Sequence, residues 1–154
     1  MNPRVIVLAA TVAAVTTGLA PAFAAPKTRT IKKSYTVNAP IPSPFPVQPG
    51  VDGRTSCEMS EEGVSEHREV LKTPAAGSLV VELKNFSGDW DIVLFGDKEQ
   101  ILAEGSGTMT PNIDGATKDK AVLKVKKAMT VYIDTCNYAG SATADASYVF
   151  TYKK

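Results

Sequence analysis

A repeated alternation of apolar and polar residues in the second half of the chain constrains the fold most strongly. Successive side chains of a β-strand point to opposite faces, so a period of two is typical of a strand with one buried face. Turn residues separate the alternating segments, which recur about every ten residues, as in antiparallel β-sandwiches. The clearest segments are residues 79–84, 90–95, 121–126, 129–134 and 148–152. They predict an all-β, antiparallel β-sandwich.

Residues 88–95 (GDWDIVLF) contain the only tryptophan of the chain. Trp90, Ile92 and Leu94 share one face of this predicted strand, so we interpret Trp90 as a core residue. The alternative is that the indole is an exposed platform for stacking sugars. A turn signal separates this strand from the strand over 79–84, and the pair is predicted to form a hairpin at the centre of one sheet.

The first 24 residues have the pattern of a secretory signal peptide. Arg4 gives a short basic start, an apolar run follows over residues 5–20, and a small-x-small cleavage motif ends at Ala24. The alternative, an uncleaved membrane anchor, is disfavoured because a bilayer span needs about 20 apolar residues and Pro21 closes the run. The sequence therefore predicts a secreted protein, extracellular or associated with the cell envelope, without stable membrane insertion.

The charge of the mature chain is balanced. Removing residues 1–24 removes one basic residue, Arg4, which leaves 17 − 1 = 16 basic against 16 acidic residues. A net charge of zero argues against general nucleic-acid binding, which needs a basic footprint. Two local clusters are predicted to be solvated, exposed segments. They are a basic group (Lys27, Arg29, Lys32, Lys33) and an acidic group (Glu58, Glu61, Glu62, Glu66, Glu69).

The two cysteines, Cys57 and Cys136, predict one disulfide. An even count in an exported chain favours pairing, because the compartment is oxidising. The disulfide would close a loop of about 80 residues. The chain-entropy relation predicts that such a loop stabilises the folded state by about 4 kcal/mol. The alternative is a structural zinc site with His67, but two cysteines and one histidine are too few ligands without help from carboxylates.

The segment before residue 51 differs in composition from the rest. Residues 25–34 are polar and basic and predict a loose arm, followed by a short strand over residues 34–37. Residues 39–50 carry proline at about every second position, which fixes an extended backbone. Their alternation puts Ile41, Phe45 and Val47 on one side, and we interpret the segment as an extended strap laid over the domain. The predicted division is a signal peptide (1–24), an arm and strap (25–50) and a β-sandwich domain (51–154).

The order of the sequence blocks resembles the bacterial pre-peptidase C-terminal domain family, in the stand-alone secreted actinobacterial form. The blocks that carry the resemblance are residues 74–83, 87–95, 131–133, 136–140 and 148–152. The resemblance implies a jelly-roll-like sandwich that is not itself catalytic. Such domains usually follow secreted proteases and other hydrolases, and relatives bind collagen or polysaccharide, some with calcium. This chain differs because no protease domain is attached.

Two groups of residues are candidates for binding. Asp89 and Asp91 lie two apart on one strand and, with Asp114 from a later loop, are predicted calcium ligands, since calcium takes six to eight oxygens. The alternative is that these carboxylates bond backbone N–H groups in the adjoining turns. Four tyrosines are candidates for a ligand-binding face, and the alternative for them is packing. They are Tyr132, Tyr138, Tyr148 and Tyr152.

No catalytic constellation emerges from the sequence. A hydrolase would have to use the single histidine, His67, with a serine such as Ser106, whose surroundings lack the nucleophile-elbow motif. The sequence therefore predicts a secreted, non-catalytic β-sandwich that binds an extracellular polymer or protein, such as cell-wall glycan, polysaccharide or a collagen-like chain. The alternatives are a structural or chaperone-like accessory of a secreted enzyme or the cell surface and, third, a small hydrolase.

Overall fold

A computed structural model describes residues 26–43, 57, 60–105 and 118–154. These residues form eight β-strands and one short 3₁₀ helix over Asp97–Glu99. The strands are β1 (Thr28–Asn38), β2 (Glu66–Thr73), β3 (Gly77–Lys84), β4 (Gly88–Phe95), β5 (Ile101–Glu104), β6 (Lys118–Val125), β7 (Met129–Gly140) and β8 (Thr143–Lys153). Within these described ranges, no helix has the length and apolar character that crossing a bilayer requires.

The strands form two antiparallel sheets that pack face to face. The first sheet has the order β1-β8-β3-β6, and the second has the order β2-β7-β4-β5. Successive strands mostly alternate between the sheets, which is the arrangement of a jelly roll. The predicted class, an antiparallel jelly-roll-like sandwich with one disulfide, is confirmed.

The predicted hairpin of residues 79–84 and 90–95 is wrong. β3 lies in the first sheet and β4 in the second, and no ladder joins them. Phe86, in the connection, is buried between the sheets, and its ring centroid lies 6.3 Å from that of Trp90. Alternation alone did not distinguish the two arrangements, because each strand turns its apolar face to the core whether its neighbour lies beside it or opposite it.

The predicted loose arm is also wrong, because residues 28–38 form the edge strand β1. This strand pairs with β8 over its full length, from Thr28 opposite Lys153 to Asn38 opposite Thr143. The predicted strand over 34–37 is its last part. The lysines of β1 suggested a solvated arm, but one face of an edge strand remains in water and accommodates them. The folded domain therefore includes chain before residue 51.

The core lies between the two sheets and takes one face of each. Trp90, Ile92 and Leu94 are buried there, opposite Leu79, Val81 and Leu83 of β3, as the alternation predicted. The indole of Trp90 is 2% exposed, and its N–H donates a hydrogen bond to the carbonyl of Ser141 at 3.1 Å. The interpretation of Trp90 as a core residue is confirmed.

A buried carboxylate joins the two sheets at one corner. Asp119 is the first residue of β6 whose side chain faces the core. Its Oδ2 accepts a hydrogen bond from the backbone N–H of Ile92 in β4 at 3.1 Å. Its Oδ1 accepts from the N–H of Lys120 at 2.6 Å. Bonding to backbone N–H groups was the alternative that we considered for the candidate calcium ligands. Asp119 plays this role from the first sheet, and one of its bonds reaches across to the second sheet.

The beginning of the predicted strap lies against the domain. The backbone N–H groups of Ala39, Ile41 and Ser43 donate to the carbonyls of residues 142, 64 and 137 at 2.9, 3.1 and 2.7 Å. Ala39 and Ser43 are buried, whereas Ile41 is 59% exposed. The prediction that Ile41 faces the domain is therefore wrong, because the backbone bonds turn it outward. Phe45, Val47 and the prolines beyond Ser43 lie outside the described residues.

Candidate functional site

Part of the outer face of the second sheet is buried around the disulfide, and we call this part the disulfide face. It consists of the outward side chains Glu66, Arg68, Val93, Asp134, Cys136 and Tyr138. Val70, on the same side of the sheet but farther from the disulfide, is 46% exposed. Cys136 is bonded to Cys57 with a Cα–Cα distance of 5.5 Å, which confirms the predicted pairing. The bridge holds residue 57 against β7, where the hydroxyl of Tyr138 accepts a hydrogen bond from the N–H of Cys57. Val93 and Cys136 are fully buried as a result.

An arginine–carboxylate pair lies at the centre of this face. Arg68 Nε donates to Asp134 Oδ1 at 2.8 Å, and Nη2 donates to Oδ2 at 2.6 Å, a two-pronged contact of the kind that arginine makes best. Asp134 is 1% exposed. The Arg68 guanidinium also lies 5.6 Å from the centre of the Tyr132 ring. The hydrogen bond from Arg68 to Asp134 raises the arginine pKa, so the guanidinium remains charged.

A second carboxyl group, that of Glu66, lies beside this pair. Its Oε1 is 3.8 Å from Arg68 Nη2. Burial, and then the charge of Asp134, raise the pKa of Glu66 to about 8. This shift favours the protonated form of Glu66, and a hydrogen bond to Asp134 contributes to it. The sequence placed Glu66 in a solvated acidic cluster, and that prediction is wrong, because Glu66 pairs with Cys136 in the ladder.

Paired carboxyl groups with a pKa near neutrality also occur in acid–base catalysis. Here Glu66 and Asp134 are 6% and 1% exposed, and the guanidinium of Arg68 occupies both oxygens of Asp134. A substrate proton would have to reach a buried and already bonded carboxylate. We therefore assign this trio a structural role: it is the polar part of a second, small core beneath the disulfide.

The four candidate tyrosines do not form one exposed face. Tyr148 is buried between the sheets, and Tyr138 is buried on the disulfide face. Tyr132 is half-buried beside Arg68, and the half-buried ring of Tyr152 stacks on Phe150 at 5.6 Å. The predicted tyrosine binding face is wrong, because the strand alternation sends Tyr148 inward and Tyr132 outward from different sheets. The packing alternative describes Tyr138 and Tyr148.

Two of the three proposed calcium ligands are described. Asp91 alternates with the core residues Trp90 and Ile92 and therefore lies on the disulfide-face side of β4. Burial raises the pKa of Tyr138, and the charges of Asp91 and Asp89 raise it further. Asp114 lies outside the described residues. In the parts of the chain that the structure describes, no group of three or more His, Cys, Asp or Glu side chains is placed to hold a metal ion. Calcium binding at Asp89, Asp91 and Asp114 stays a prediction.

The single histidine lies where the two sheets meet along their β1 and β2 edges. The ring of His67 is 5.5 Å from that of Tyr35, and its backbone carbonyl accepts a hydrogen bond from the hydroxyl of Thr135. Beside it, Lys33 Nζ forms an ion pair with Glu69 at 2.7 Å. These contacts close the edge of the sandwich. Ser106, the partner that a hydrolase would need, lies outside the described residues.

The outer face of the first sheet is exposed to solvent and carries most of its charge on lysine, so we call it the lysine face. A valine row crosses its middle: Val149, Val80 and Val122 are opposite one another on three adjacent strands. Val122 and Val149 are 56% and 43% exposed. Six lysines surround this row. They are Lys32, Lys84, Lys118, Lys120, Lys124 and Lys153.

Two carboxylates lie on the lysine face, and both have partners. Glu82 is 2.5 Å from Lys84 Nζ and 3.9 Å from Lys120 Nζ, and its hydrogen bond with Lys84 lowers its pKa. Asp145 accepts hydrogen bonds from the hydroxyl of Thr36 and the side-chain amide of Asn85, at 3.3 and 2.8 Å. Six lysines against two carboxylates give this face a net charge of about +4 at neutral pH. The sequence did not predict this face, because its lysines are spread over four strands.

Neither comparison with known proteins finds a relative. No protein-family model matches the chain, and no curated protein matches it. The resemblance to the pre-peptidase C-terminal domains therefore stays a prediction that rests on the sequence blocks alone.

Proposed function

We propose that this protein is a secreted, non-catalytic β-sandwich that binds an anionic extracellular polymer on its lysine face. The observation that carries the proposal is the excess of lysines on this exposed face, where both carboxylates are already partnered. Positive charge on an open surface attracts a negatively charged chain over a distance of roughly the Debye length, about 8 Å at physiological salt. An anionic cell-envelope polymer fits this chemistry and the predicted compartment.

The spacing of the lysines supports a repeating ligand. Lys118 and Lys120 are two residues apart on the same face of β6, which corresponds to about 7 Å along the strand. Lys84 and Lys118 are opposite one another on neighbouring strands, about 5 Å apart in the backbone. The ammonium groups therefore form a grid over a flat surface, which favours an extended polymer with a charge on each unit.

The test is co-sedimentation with cellulose and phosphocellulose, which differ in charge but share a backbone. The protein, expressed from its full coding sequence, should sediment with phosphocellulose and not with cellulose, and salt should release it. The double variant Lys118→Glu, Lys120→Glu should lose binding about tenfold or more, since it replaces attraction by repulsion. The variant Lys72→Glu, Lys98→Glu changes the net charge equally but elsewhere, and should bind normally.

The same assay extends to natural polymers. Peptidoglycan with its attached anionic polymers should bind, and the same peptidoglycan after their removal should not. Collagen and chitin are tested in the same way, each with calcium and with a chelator. Loss of binding in the chelator would support Asp89, Asp91 and Asp114 as calcium ligands. Equal binding of both double-charge variants, or binding to uncharged cellulose, would refute the lysine face as the site.

The second candidate function is that of an accessory protein that docks on a secreted enzyme. The valine row of Val80, Val122 and Val149 favours it, because exposed apolar side chains in register are a feature of protein interfaces. The variant Val122→Thr separates the two functions. A docked protein would lose apolar contact and bind less well, whereas binding of an anionic polymer would remain near its original strength.

A further inference from the structure

A groove of about 650 Å³ lies at the end of the lysine face where β3 begins. Its volume is within the range of about 300–1,000 Å³ that small-molecule sites occupy. Its walls come from β1, β3, β6 and β8 and from the bend before β3, and they are mainly apolar. The apolar contacts include Ala75, Val122, Val125 and the ring of Tyr152.

Small residues at the start of β3 and in the bend before it line the groove; they are Ala75, Ala76, Gly77 and Ser78. A side chain at Gly77 would point into the core and not into the groove: a Cβ there would overlap the carbonyl of Thr151 and lie 2.7 Å from Cζ of the buried Phe150. Ala76 and Ser78 flank Gly77 and are exposed. Since larger side chains border these small residues on the neighbouring strands, the strand β3 lies at the bottom of a channel.

Two lysines border the channel on opposite sides. Lys124 is opposite Ser78 on β6, and Lys153 lies on β8 opposite Thr28. Two strand spacings separate β6 from β8, and Lys153 lies two residues beyond Thr151, which is level with Lys124, so the two lysine backbones are about 12 Å apart. Neither lysine forms an ion pair within the described residues, and no carboxylate of these residues lines the groove. Long lysine stems can line apolar surface while their ammonium groups stay in water.

We propose that this groove binds a single-chain anionic amphiphile of the fatty-carboxylate class. The hydrocarbon chain lies over Gly77 and against Val122 and Val125, where its burial removes apolar surface from water on both sides. The carboxylate lies at the rim, where the ammonium groups of Lys124 and Lys153 neutralise it and donate hydrogen bonds to it. An anionic head is required, because the groove offers two cations and no described carboxylate.

The groove shares Lys124 and Lys153 with the lysine face, but Lys118 and Lys120 do not line it. Ala75 and Ser78 line the groove and carry no charge that would attract a polymer. Substitutions at these two pairs therefore distinguish the two proposals. Variants in the groove test the amphiphile, and the double variant Lys118→Glu, Lys120→Glu tests the polymer.

The experiment is calorimetric titration of the full chain with hexadecanoate below its micelle concentration, beside hexadecanol and octanoate. Hexadecanoate should bind with about one molecule per chain. Hexadecanol should bind about tenfold more weakly because it has no charge, and octanoate should also bind more weakly because it buries less chain. Equal binding of hexadecanoate and hexadecanol would overturn the charged rim, and no binding of hexadecanoate would overturn the proposal.

The matched variants locate the site. Ser78→Trp and Ala75→Trp fill the groove from a strand and from a bend, and each should abolish hexadecanoate binding while circular dichroism remains that of the parent. Lys124→Glu with Lys153→Glu should weaken binding at least about tenfold. Lys118→Glu with Lys120→Glu should leave it within about twofold. Full binding by both folded tryptophan variants would show that hexadecanoate binds elsewhere and would refute the proposal.

Discussion

The two outer faces of this sandwich have similar strand architecture and opposite physical character. On the disulfide face, Val93 and Cys136 are fully buried, and the charges of Arg68 and Asp134 cancel at hydrogen-bonding distance. On the lysine face, Val122 is 56% exposed and like charges lie side by side. The first arrangement adds a small second core and supports stability. The second adds little to stability and exposes its charge to solvent, and it is the face on which we propose that a partner binds.

The largest expected effect is the loss of the disulfide. The double variant Cys57→Ala, Cys136→Ala should lower the free energy of unfolding by about 4 kcal/mol. The disulfide joins two residues that are 79 positions apart in the sequence, so it restricts the conformations of the unfolded chain. Urea unfolding of the variant and the parent measures this. If the disulfide face is a second core, reduction of the parent should lower its stability by a similar amount. A change below about 1 kcal/mol would contradict the comparison.

The next effect is that of the buried ion pair. Arg68→Met should cost about 3 kcal/mol, since it leaves Asp134, which is 1% exposed, without its cation. The matched control is Lys33→Met, which breaks an ion pair with Glu69 whose lysine side chain is 47% exposed. That change should cost less than about 1 kcal/mol. Equal losses in thermal unfolding of the two variants would show that the disulfide face is no more buried than the sheet edge.

The pH dependence of stability is the third effect. The folded pKa of Glu66, about 8, lies above its ordinary value of 4.5, so the folded state holds this proton more tightly than the unfolded state. The contribution of Glu66 to the free energy of unfolding is therefore present in full below pH 4.5. It declines as the pH rises to about 8, by up to about 1.4 kcal/mol per pH unit. Beyond the folded pKa it is lost and the dependence levels off.

The variant Glu66→Gln isolates this contribution. Its stability should change less between pH 5 and pH 8 than that of the parent, because the amide has no proton to lose. Glu69→Gln is the control, since Glu69 is ion-paired with Lys33 at the sheet edge. Thermal unfolding across this pH range provides the measurement. Parallel curves for the parent and Glu66→Gln would rule out a protonated Glu66 in the folded state.

The smallest expected change in stability comes from the lysine face. Lys118→Glu with Lys120→Glu should alter the free energy of unfolding by no more than about 0.5 kcal/mol, because both side chains are exposed. The same variant should lose binding to phosphocellulose. A large loss of stability here, by urea unfolding, would mean that the lysine face also supports the fold and that the two faces are not divided in function.

Much of the local structure was accessible from the sequence. The period of two around Leu79, Trp90, Val131 and Phe150 predicted the strands and the core residues, because alternation is a property of each strand by itself. The disulfide was predicted because only two cysteines are present and the first 24 residues have the pattern of an export signal. The same local reasoning assigned Glu66 to an exposed acidic cluster, since neighbouring glutamates cannot indicate that one of them faces a disulfide.

The sequence by itself determined the fold class, the strands from β3 to β8 and the cysteine pair, because each depends on periodicity or on a count. Only the tertiary structure decided which strands lie side by side, that residues 28–38 complete a sheet, and that lysines from four strands share one face. It also decided that Arg68, Asp134 and Glu66 meet beneath the disulfide. The physical reason is that strand pairing and burial depend on contacts between residues distant in the chain, and a jelly roll forms most of its contacts in this way.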